Sequence, residues 1–342
     1  MRRALLIGGA VVGTLGLAAA GLALWWYRSI DEFAATPFGS AEEKVVEVAA
    51  GARLREVSSQ LVAAGVVSDQ LRLEWLAKRL KVDRQLKAGE YAFSGPLVPE
   101  KILSDLAHNH VKLHHCTVPE GLRLDEVAKL LEGCHWGAAS EYLRLARDEK
   151  LAHQWGVPSA SLEGYLFPDT YAFPKGPKPE AVLHKMVEGF FAALKAAQAH
   201  ARPEVHLDVN ETTTLASIIE KETAVPDERS HVSCVFHNRL KKHMKLETDP
   251  TVIYAKILRY GSFDGDIKRD DLQYKHPYNT YTVRGLPPGP IANPGAAALA
   301  AALAPMDCED LFFVACGGGT HQFCPDFQCH KKFVARCQLG KP

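Results

Sequence analysis

The sequence predicts an α+β protein with an N-terminal single transmembrane helix, a small α+β module and a larger mixed α+β domain. Three observations support this fold class. An uncharged apolar run occupies residues 4–27, a pattern of strand, helix, helix and strand follows within residues 44–93, and helical and strand periods are mixed over the rest of the chain. The 342 residues are too many for one small core, which favours two domains.

The apolar run is long enough to cross a bilayer. As a helix, residues 4–27 would extend about 36 Å, whereas a hydrocarbon core is about 30 Å thick. Arg2 and Arg3 precede the run, so the positive-inside rule places the N-terminus in the cytoplasm and the rest of the chain outside. A cleavable signal peptide is the alternative, because residues 18–20 are alanines. The run continues through Trp26, which favours a retained anchor.

Four segments follow from these patterns. They are a cytoplasmic tip and transmembrane helix at 1–28, a linker at 29–43, the small module at 44–112 and the larger domain at 113–342, which includes a cysteine-rich C-terminal segment. Lys plus Arg and Asp plus Glu both total 40. This balance predicts no nucleic-acid partner, because no excess of positive charge would attract one.

The elements of the small module are predicted from their periods. Residues 44–50 alternate as a strand, and residues 54–64 and 70–80 repeat their apolar side chains with a helical period. A short strand at 89–93 and a helix at 98–108 complete the module.

The larger domain is predicted to be mainly helical. Its first half contains a strand near 111–113 and helices at 122–131, 141–155 and 180–201. Its second half contains helices at 210–225, 228–241 and 250–258, a rigid proline loop at 285–290, an alanine-rich helix ending near 304 and a strand at 311–315. Asn210 and Asp249 are the predicted N-caps of their helices.

One helix carries a carboxylate on its apolar side. At about 100° per residue, Leu215, Ile218 and Ile219 form a stripe on which Glu222 also falls, while Glu220 points almost the opposite way and should mainly affect the surface. Burial would raise the pKa of Glu222 and allow it to act as a general acid near neutral pH. The alternative is that the stripe ends one residue early and leaves Glu222 exposed.

The cysteine content is consistent with an oxidising compartment. The chain has eight cysteines, at positions 116, 134, 234, 308, 316, 324, 329 and 337. Their even number makes disulfides plausible, but the sequence does not assign the pairing. A zinc site is the alternative for the C-terminal group, formed by Cys316, His321, Cys324, Cys329 and His330, although no familiar zinc-binding spacing occurs there. Cys234 lies within a helical pattern and is predicted to be a small core residue.

Four separated blocks identify a family. They are residues 163–171 (EGYLFPDTY), 216–223 (ASIIEKET), 246–252 (LETDPTV) and 278–281 (YNTY) together with 285–291 (GLPPGPI). In this order, and with the N-terminal anchor, they closely resemble the MltG (YceG-like) endolytic murein transglycosylases. The module at 44–112 lies where that family carries a LysM-like subdomain, and the larger domain corresponds to the catalytic domain.

The resemblance implies a reaction. The family cleaves within the glycan strands of peptidoglycan and leaves 1,6-anhydro-N-acetylmuramic acid ends, and Glu222 matches the catalytic residue. A single carboxyl group suffices when the C6 hydroxyl of the sugar is the nucleophile, so no metal or other cofactor is expected. The resemblance also implies an inner-membrane protein with a periplasmic catalytic domain, engaged in cell wall biogenesis, with wall-elongation synthases as partners.

Further residues are candidates for substrate binding, and all of them except Asn238, on the helix at 228–241, belong to the blocks. They are Glu163, Tyr165, Asp169, Tyr171, Asn238, Glu247, Thr248, Asp249, Tyr278, Asn279 and Tyr281. Several have a structural alternative: the block at 163–171 could be an ordinary packed turn, Asp249 is favoured as a helix cap, and Arg239 is expected to form an ion pair while Asn238 faces the cleft.

One position departs from the family pattern. Glu247 stands where glutamine is common, and in the cleft it would raise the pKa of Glu222 or serve as a base for water. Two other functions therefore remain open. One is a muramidase-type hydrolase that uses Glu247 as its second carboxylate, and the other is a non-catalytic scaffold that only binds peptidoglycan.

Overall fold

The computed structural model describes the backbone of residues 2–339 and the side chains of residues 13–339. The chain divides into two compact units. One comprises the residues up to 114 together with 172–175, and the other comprises residues 115–171 and those from 176 onward. Helices and short antiparallel strands occur in both, so the predicted α+β class is confirmed.

The first unit encloses its own core. Its elements are α1 (Arg2–Ala35), β1 (Lys44–Val48), α2 (Leu54–Ala63), α3 (Gln70–Arg79), β2 (Gly89–Phe93) and α4 (Pro99–Ala107). β1 and β2 pair antiparallel, with Lys44 opposite Phe93. Leu61, Leu76 and Ile102 come from three different helices and are fully buried between them and the strands. The helical periods of the sequence thus direct these side chains to one core.

The long helix α1 extends past the predicted membrane span. Residues 29–35, predicted as the start of a linker, continue the helix, and Ile30 and Phe33 are buried in the core of the first unit. The predicted span at 4–27 includes residues 4–12, whose side chains lie outside the described set. Within the described part of the chain, no helix combines the length and the apolar character that crossing a membrane requires.

The second unit is built around one buried helix. The residues of β3 (His114–Thr117) and β4 (Thr170–Phe173) are divided between the two units. The other elements are α5 (Leu124–Gly133), α6 (Ala139–Ala146), α7 (Glu149–Gln154), α8 (Pro179–Gln198), α9 (Val209–Glu222), a 3-10 turn (Pro226–Glu228), α10 (Arg229–Lys241), α11 (Asp249–Tyr260), α12 (Arg269–Gln273), α13 (Ala296–Leu303), β5 (Phe312–Ala315), β6 (His321–Cys324) and α14 (Phe327–Cys337). Every residue of α9 from Thr212 to Ile219 is buried. The end of α9 is thereby held in a fixed position.

Three predicted helix boundaries are wrong. The side chain of Asp208, not of Asn210, caps α9: it accepts a hydrogen bond from the Glu211 amide at 2.8 Å, and Glu211 reaches back to the Asp208 amide at 3.0 Å. The helix predicted at 141–155 is two helices, α6 and α7, and the Asp148 side chain caps the second. Asp249 is the first residue of α11, whose N-cap is Thr248. Side chains that can cap occur close together in each case, and the sequence does not distinguish between them.

The family blocks meet on α9 through close packing. Gly164 has φ +85°, and a β-carbon at this position would overlap the ring of Pro290 and approach Thr213 of α9. The Ser217 hydroxyl accepts a hydrogen bond from the Ile291 amide at 3.0 Å. Much of the sequence pattern in these blocks therefore serves to hold α9 in place.

We expect Gly164→Ala to lower the free energy of unfolding by about 2–4 kcal/mol, since it adds both backbone strain and a steric overlap. Gly261→Ala is the matched control, because Gly261 also has a positive φ, +79°, but open space around it. The control should cost only about 1 kcal/mol. Chemical denaturation of both variants measures the difference, and equal losses would show that the packing against Pro290 is not tight.

All eight cysteines form disulfides. The pairs are Cys116–Cys134, Cys234–Cys308, Cys316–Cys337 and Cys324–Cys329. Cys234 is buried in the core, as predicted, and its disulfide also links α10 to the segment before β5. The zinc alternative is wrong, because Cys316, Cys324 and Cys329 form disulfides and cannot bind zinc as thiolates. Both C-terminal pairs connect α14 to the β5–β6 hairpin: Cys316–Cys337 from the turn after β5, and Cys324–Cys329 from the end of β6.

Candidate active site

A cavity of about 420 Å³ opens at the C-terminal end of α9. It is lined by Glu222, Arg239, Leu246, Glu247, Asp249, Tyr281, Phe312, Phe313, Val314, Ala315, His321, Phe327, His330, Val334 and Gln338. Carboxylates lie on the side formed by α9 and α11, and aromatic side chains lie on the side formed by β5 and α14. A cavity that combines acidic groups with aromatic faces is suited to a carbohydrate.

Glu222 is the last residue of α9, and its pKa is raised to about 8. Burial is the largest cause, because it removes the carboxylate from water, and the negative charge of Asp249 adds to it. The side chain of Thr248 and the positive charge of Arg239 act in the opposite direction. Glu222 is therefore mostly protonated at neutral pH, as the helical phase predicts.

Asp249 acts on Glu222 and does not cap α11. It accepts a hydrogen bond from the Tyr281 hydroxyl at 2.8 Å, and both residues line the cavity. Thr248 is buried, and its amide donates to the Thr280 hydroxyl at 3.0 Å. This bond ties the start of α11 to the block at 278–281 and places Asp249 beside Glu222.

Arg239 and Glu247 form an ion pair at the rim of the cavity. The guanidinium donates to the Leu311 carbonyl at 2.6 Å and the Leu246 carbonyl at 2.8 Å, and it lies 3.4 Å from the Glu247 carboxylate. It also lies 5.0 Å above the centre of the Phe312 ring. Glu247 is half-exposed with φ 51°, and Asp249, not Glu247, supplies the charge that raises the pKa of Glu222.

The aromatic side of the cavity comes from the disulfide-rich tail. Phe312 and Phe313 lie on β5, and Phe327 lies on α14. His321 of β6 is held by Glu228, whose carboxylate accepts from the ring at 2.7 Å and from the His321 amide at 2.9 Å. Sequence reasoning missed the three phenylalanines and considered His321 only as a zinc ligand, although the two adjacent phenylalanines of a short strand were a usable signal.

Glu163 and Tyr165 are structural. The Glu163 carboxylate accepts a hydrogen bond from the Leu124 amide at 2.9 Å and thereby caps α5. It also accepts from the Tyr254 hydroxyl at 3.3 Å. Burial raises the pKa of Glu163 to about 7. Tyr165 is fully buried, and its ring lies 4.9 Å from that of Phe190. The packed-turn alternative describes both residues.

Asp169 and Tyr171 also lie away from the residues that line the cavity. Asp169 is exposed, and its carboxylate accepts from the Thr170 amide at 2.7 Å. Tyr171 is buried, and its hydroxyl donates to the Phe167 carbonyl at 2.6 Å. Both stabilise the turn that leads into β4.

Asn238 does not face the cavity. Its amide donates to the Cys308 carbonyl at 3.0 Å and to the Asp310 carbonyl at 3.1 Å. The assignment of Asn238 to the cleft is therefore wrong, whereas Arg239 forms the expected ion pair and also lines the cavity. Adjacent helical residues point about 100° apart, and only packing against the tail decides which of them meets the cavity.

Tyr278 and Asn279 support the loop that carries Tyr281. The Tyr278 ring lies 4.9 Å from that of Tyr254. Asn279 is fully buried and donates to the carbonyls of Asp271, at 3.0 Å, and Tyr274, at 2.8 Å. Of the predicted substrate-binding residues, Glu247, Asp249 and Tyr281 line the cavity, and the buried Thr248 contacts Glu222.

Glu220 is buried, contrary to the prediction that it lies at the surface. Its side chain is 4% exposed, pairs with Arg229 at 3.2 Å and accepts from the Gly295 amide at 2.9 Å. Arg229 also binds Glu120 at 3.0 Å. Burial nevertheless raises the pKa of Glu220. Residues 212–219 of α9 are buried on every face of the helix, and at Glu220 the face opposite the apolar stripe meets Arg229 and Gly295 instead of water.

One trio of potential metal ligands occurs among residues 13–339. His231, Cys308 and Asp310 place one ligand atom each within 4.8 Å of one another. The sulfur of Cys308 is bonded to Cys234, and the His231 ring forms a 2.7 Å hydrogen bond with Asp310. The trio is thus accounted for by a disulfide and a hydrogen bond, and it does not support a metal site.

The fold and the cavity define a member of a known class. The YceG-like family pattern matches residues 46–336, and this chain belongs to the YceG-like family, as the four blocks predict. A crystal structure of a YceG-like protein from Listeria monocytogenes superimposes with a TM-score of 0.58 at 29% sequence identity, covering 86% of this chain and 99% of that one.

Two curated relatives carry the name endolytic murein transglycosylase. The protein of Bacillus subtilis is 37% identical over 174 residues, which are 50% of this chain and 46% of the Bacillus protein. The protein of Streptococcus pneumoniae is 28% identical over 329 residues, which cover 88% of this chain and 59% of that protein. The matches therefore span about half to three fifths of the length of these relatives.

Proposed function

We propose that this protein is an endolytic peptidoglycan lytic transglycosylase. The observation that carries the proposal is Glu222, a carboxyl group with a pKa of about 8 in a cavity with an aromatic wall. Such a group holds a proton at neutral pH and can give it to a glycosidic oxygen. The names of the curated relatives support murein as the substrate.

The proposed reaction uses Glu222 twice. Glu222 first donates its proton to the oxygen between N-acetylmuramic acid and N-acetylglucosamine, and the bond from the muramic C1 to that oxygen breaks. The C6 hydroxyl oxygen of the muramic residue then bonds to C1, and the Glu222 carboxylate takes the hydroxyl proton. The products are a free 4-hydroxyl and a 1,6-anhydro end, and no water is consumed. Asp249 favours the first step, because its charge keeps Glu222 protonated.

A muramidase-type hydrolase is the second candidate. It is favoured by one observation, the presence of Glu247 in the same cavity as Glu222. Hydrolytic glycosidases normally use two carboxyl groups, one of which activates water or attacks the sugar. The ion pair with Arg239 disfavours Glu247 in that role, because the carboxylate contacts a guanidinium that a catalytic water would have to displace.

Digestion of peptidoglycan in water enriched in oxygen-18 distinguishes the candidates. The full chain should release fragments with unlabelled anhydro-muramic ends, and Glu247→Gln should give the same products. Labelled reducing ends that disappear in Glu247→Gln would establish the hydrolase instead. Binding of glycan without any new ends would mean that the protein is a scaffold.

The alkaline side of the pH profile should depend on Asp249. Because Asp249 raises the pKa of Glu222, Asp249→Asn lowers it, and kcat/KM should begin to fall at a lower pH than in the wild type. We expect at least about a twofold loss at pH 8 relative to the wild type, measured as cleavage rates between pH 5 and 9. Tyr281→Phe is the matched control, since it removes the hydrogen bond to Asp249 but keeps the charge. An unchanged profile in Asp249→Asn would contradict the assignment.

We also propose that residues 4–27 anchor the protein in the inner membrane, with the N-terminus in the cytoplasm and the remaining chain in the periplasm. The charge-free run and the disulfides support this placement, because disulfides persist in oxidising compartments. The first unit would bind glycan as a LysM-like module, and wall-elongation synthases would be partners. Resistance to alkaline extraction tests the anchor, and a membrane pull-down that repeatedly recovers no synthase would count against the partners.

A further inference from the structure

The first unit is joined to the apolar run of α1 without a flexible linker. The helix continues to Ala35, and Ile30 and Phe33, only 3% and 6% exposed, belong to the core formed by α2, α3, α4 and the strands. A helix whose end is part of a core cannot swivel independently of it. The orientation of the first unit relative to the apolar run is therefore set by the fold.

One face of α3 is held beside the end of the apolar run. The rings of Trp26 and Trp75 meet edge to face with their centres 6.4 Å apart. Arg79 binds Asp31 at 2.6 Å and lies 5.5 Å from the centre of the Tyr27 ring. These contacts place α3 at the level of the aromatic residues that end the run.

This region exposes large apolar side chains. Trp25 is 62% and Tyr27 56% exposed on α1, while Leu71 is 62% and Trp75 53% exposed on α3. Leu71 and Trp75 are four residues apart and thus lie on the same helical face. We call these four side chains the aromatic collar. Tryptophan and tyrosine concentrate at membrane interfaces, where the ring is buried and the polar atom stays in the headgroup layer.

We propose that the aromatic collar lies in the headgroup region of the bilayer, so that α3 rests on the membrane surface and fixes the first unit there. The inference rests on the proposed membrane anchor, and it adds a second contact made by a folded domain. The occupant is lipid because the exposed side chains continue directly from the apolar run. Lys78, whose ammonium lies 6.0 Å from the centre of the Trp75 ring, can direct its charge to lipid phosphates while its stem covers apolar surface.

Quenching by brominated lipids tests the contact with full-length protein in phosphatidylcholine–phosphatidylglycerol vesicles. Trp25→Phe/Trp26→Phe leaves Trp75, Trp136 and Trp155 as the tryptophans. Lipids brominated near the headgroup should quench part of this fluorescence and should do so more strongly than lipids brominated deeper in the chain. Adding Trp75→Phe should abolish the quenched component.

Flotation of the same vesicles distinguishes the proposed membrane anchor from the proposed contact between the aromatic collar and lipid. If the protein does not float with the vesicles, the membrane anchor is wrong. If it floats but quenching is the same with and without Trp75, the collar contact is wrong and the anchor stands. Protection of Trp75 from aqueous acrylamide together with a dimeric mass in detergent would mean that a second copy covers the collar, which also overturns the lipid contact.

Discussion

Replacing Glu222 with glutamine should reduce glycan cleavage by about a thousandfold or more, since the variant keeps the shape of the side chain but has no proton to donate. The fold should be retained, because glutamine preserves the length and polarity of the group at the end of α9. Release of soluble fragments from peptidoglycan, followed over time, measures the loss. Glu247→Gln is the matched control in the same cavity and should retain cleavage. If Glu222→Gln kept activity within tenfold of the wild type, Glu222 would not be the acid.

Glu222→Gln should also be more stable than the wild type at neutral and alkaline pH. The folded protein holds the Glu222 proton up to a pH of about 8, whereas an unperturbed glutamate releases it near 4.5. The free energy of unfolding of the wild type therefore falls as the pH rises through this interval. Glu222→Gln lacks this dependence and should gain about 1–3 kcal/mol at pH 8 and little at pH 4. Denaturant titrations at the two pH values would reveal the difference.

Replacing Arg229 with leucine should lower the free energy of unfolding by about 3 kcal/mol or more, because it leaves the buried carboxylate of Glu220 without a cation. A loss of this size lowers Tm by roughly 6–12 °C in a domain of this length. Activity should also fall, since Glu220 lies two residues before Glu222 on α9 and ties that end of the helix to Gly295. Thermal melting and cleavage assays on one preparation measure both effects.

Two further variants test the cause of that loss. Glu120 is the other partner of Arg229, and its side chain is half-exposed. Glu120→Gln should therefore lower the free energy of unfolding by less than about 1 kcal/mol. Adding Glu220→Gln to Arg229→Leu removes the stranded charge and should restore part of the stability. If the double variant were no more stable than Arg229→Leu, lost packing and not an unpaired carboxylate would explain the effect.

Local periodicity predicted the elements of this protein well. The small module has its strands and helices near the predicted positions, because each depends on side chains a few residues apart. The placement of Glu222 succeeded for the same reason, since it required only the angle between residues on one helix. The prediction that Glu220 lies at the surface was wrong, because that angle describes where a side chain points and not what it contacts. In the folded protein both faces of α9 contact other protein groups.

Contacts between distant residues were beyond the sequence. That Arg239, and not Asn238, lines the cavity depends on a tail some seventy positions further along the chain, as the bond from Arg239 to Leu311 shows. Asp249 carried a good capping signal, yet it lies beside Glu222 because Thr248 is tied to Thr280. The disulfide partners were likewise open, since the sequence supplies the number of cysteines but not their separation in space.

The sequence by itself determined the fold class, the family, the position of the acidic residue on its helix and the apolar N-terminal run. These properties are encoded locally, in side-chain periods and short motifs. Only the tertiary structure decided that Asp249 raises the pKa of Glu222, that the disulfide-bonded tail forms the aromatic wall, and that α3 lies beside the aromatic end of α1. The pKa of a carboxyl group and the walls of a cavity depend on burial and charge within a few ångströms, and packing brings these groups together from distant parts of the chain.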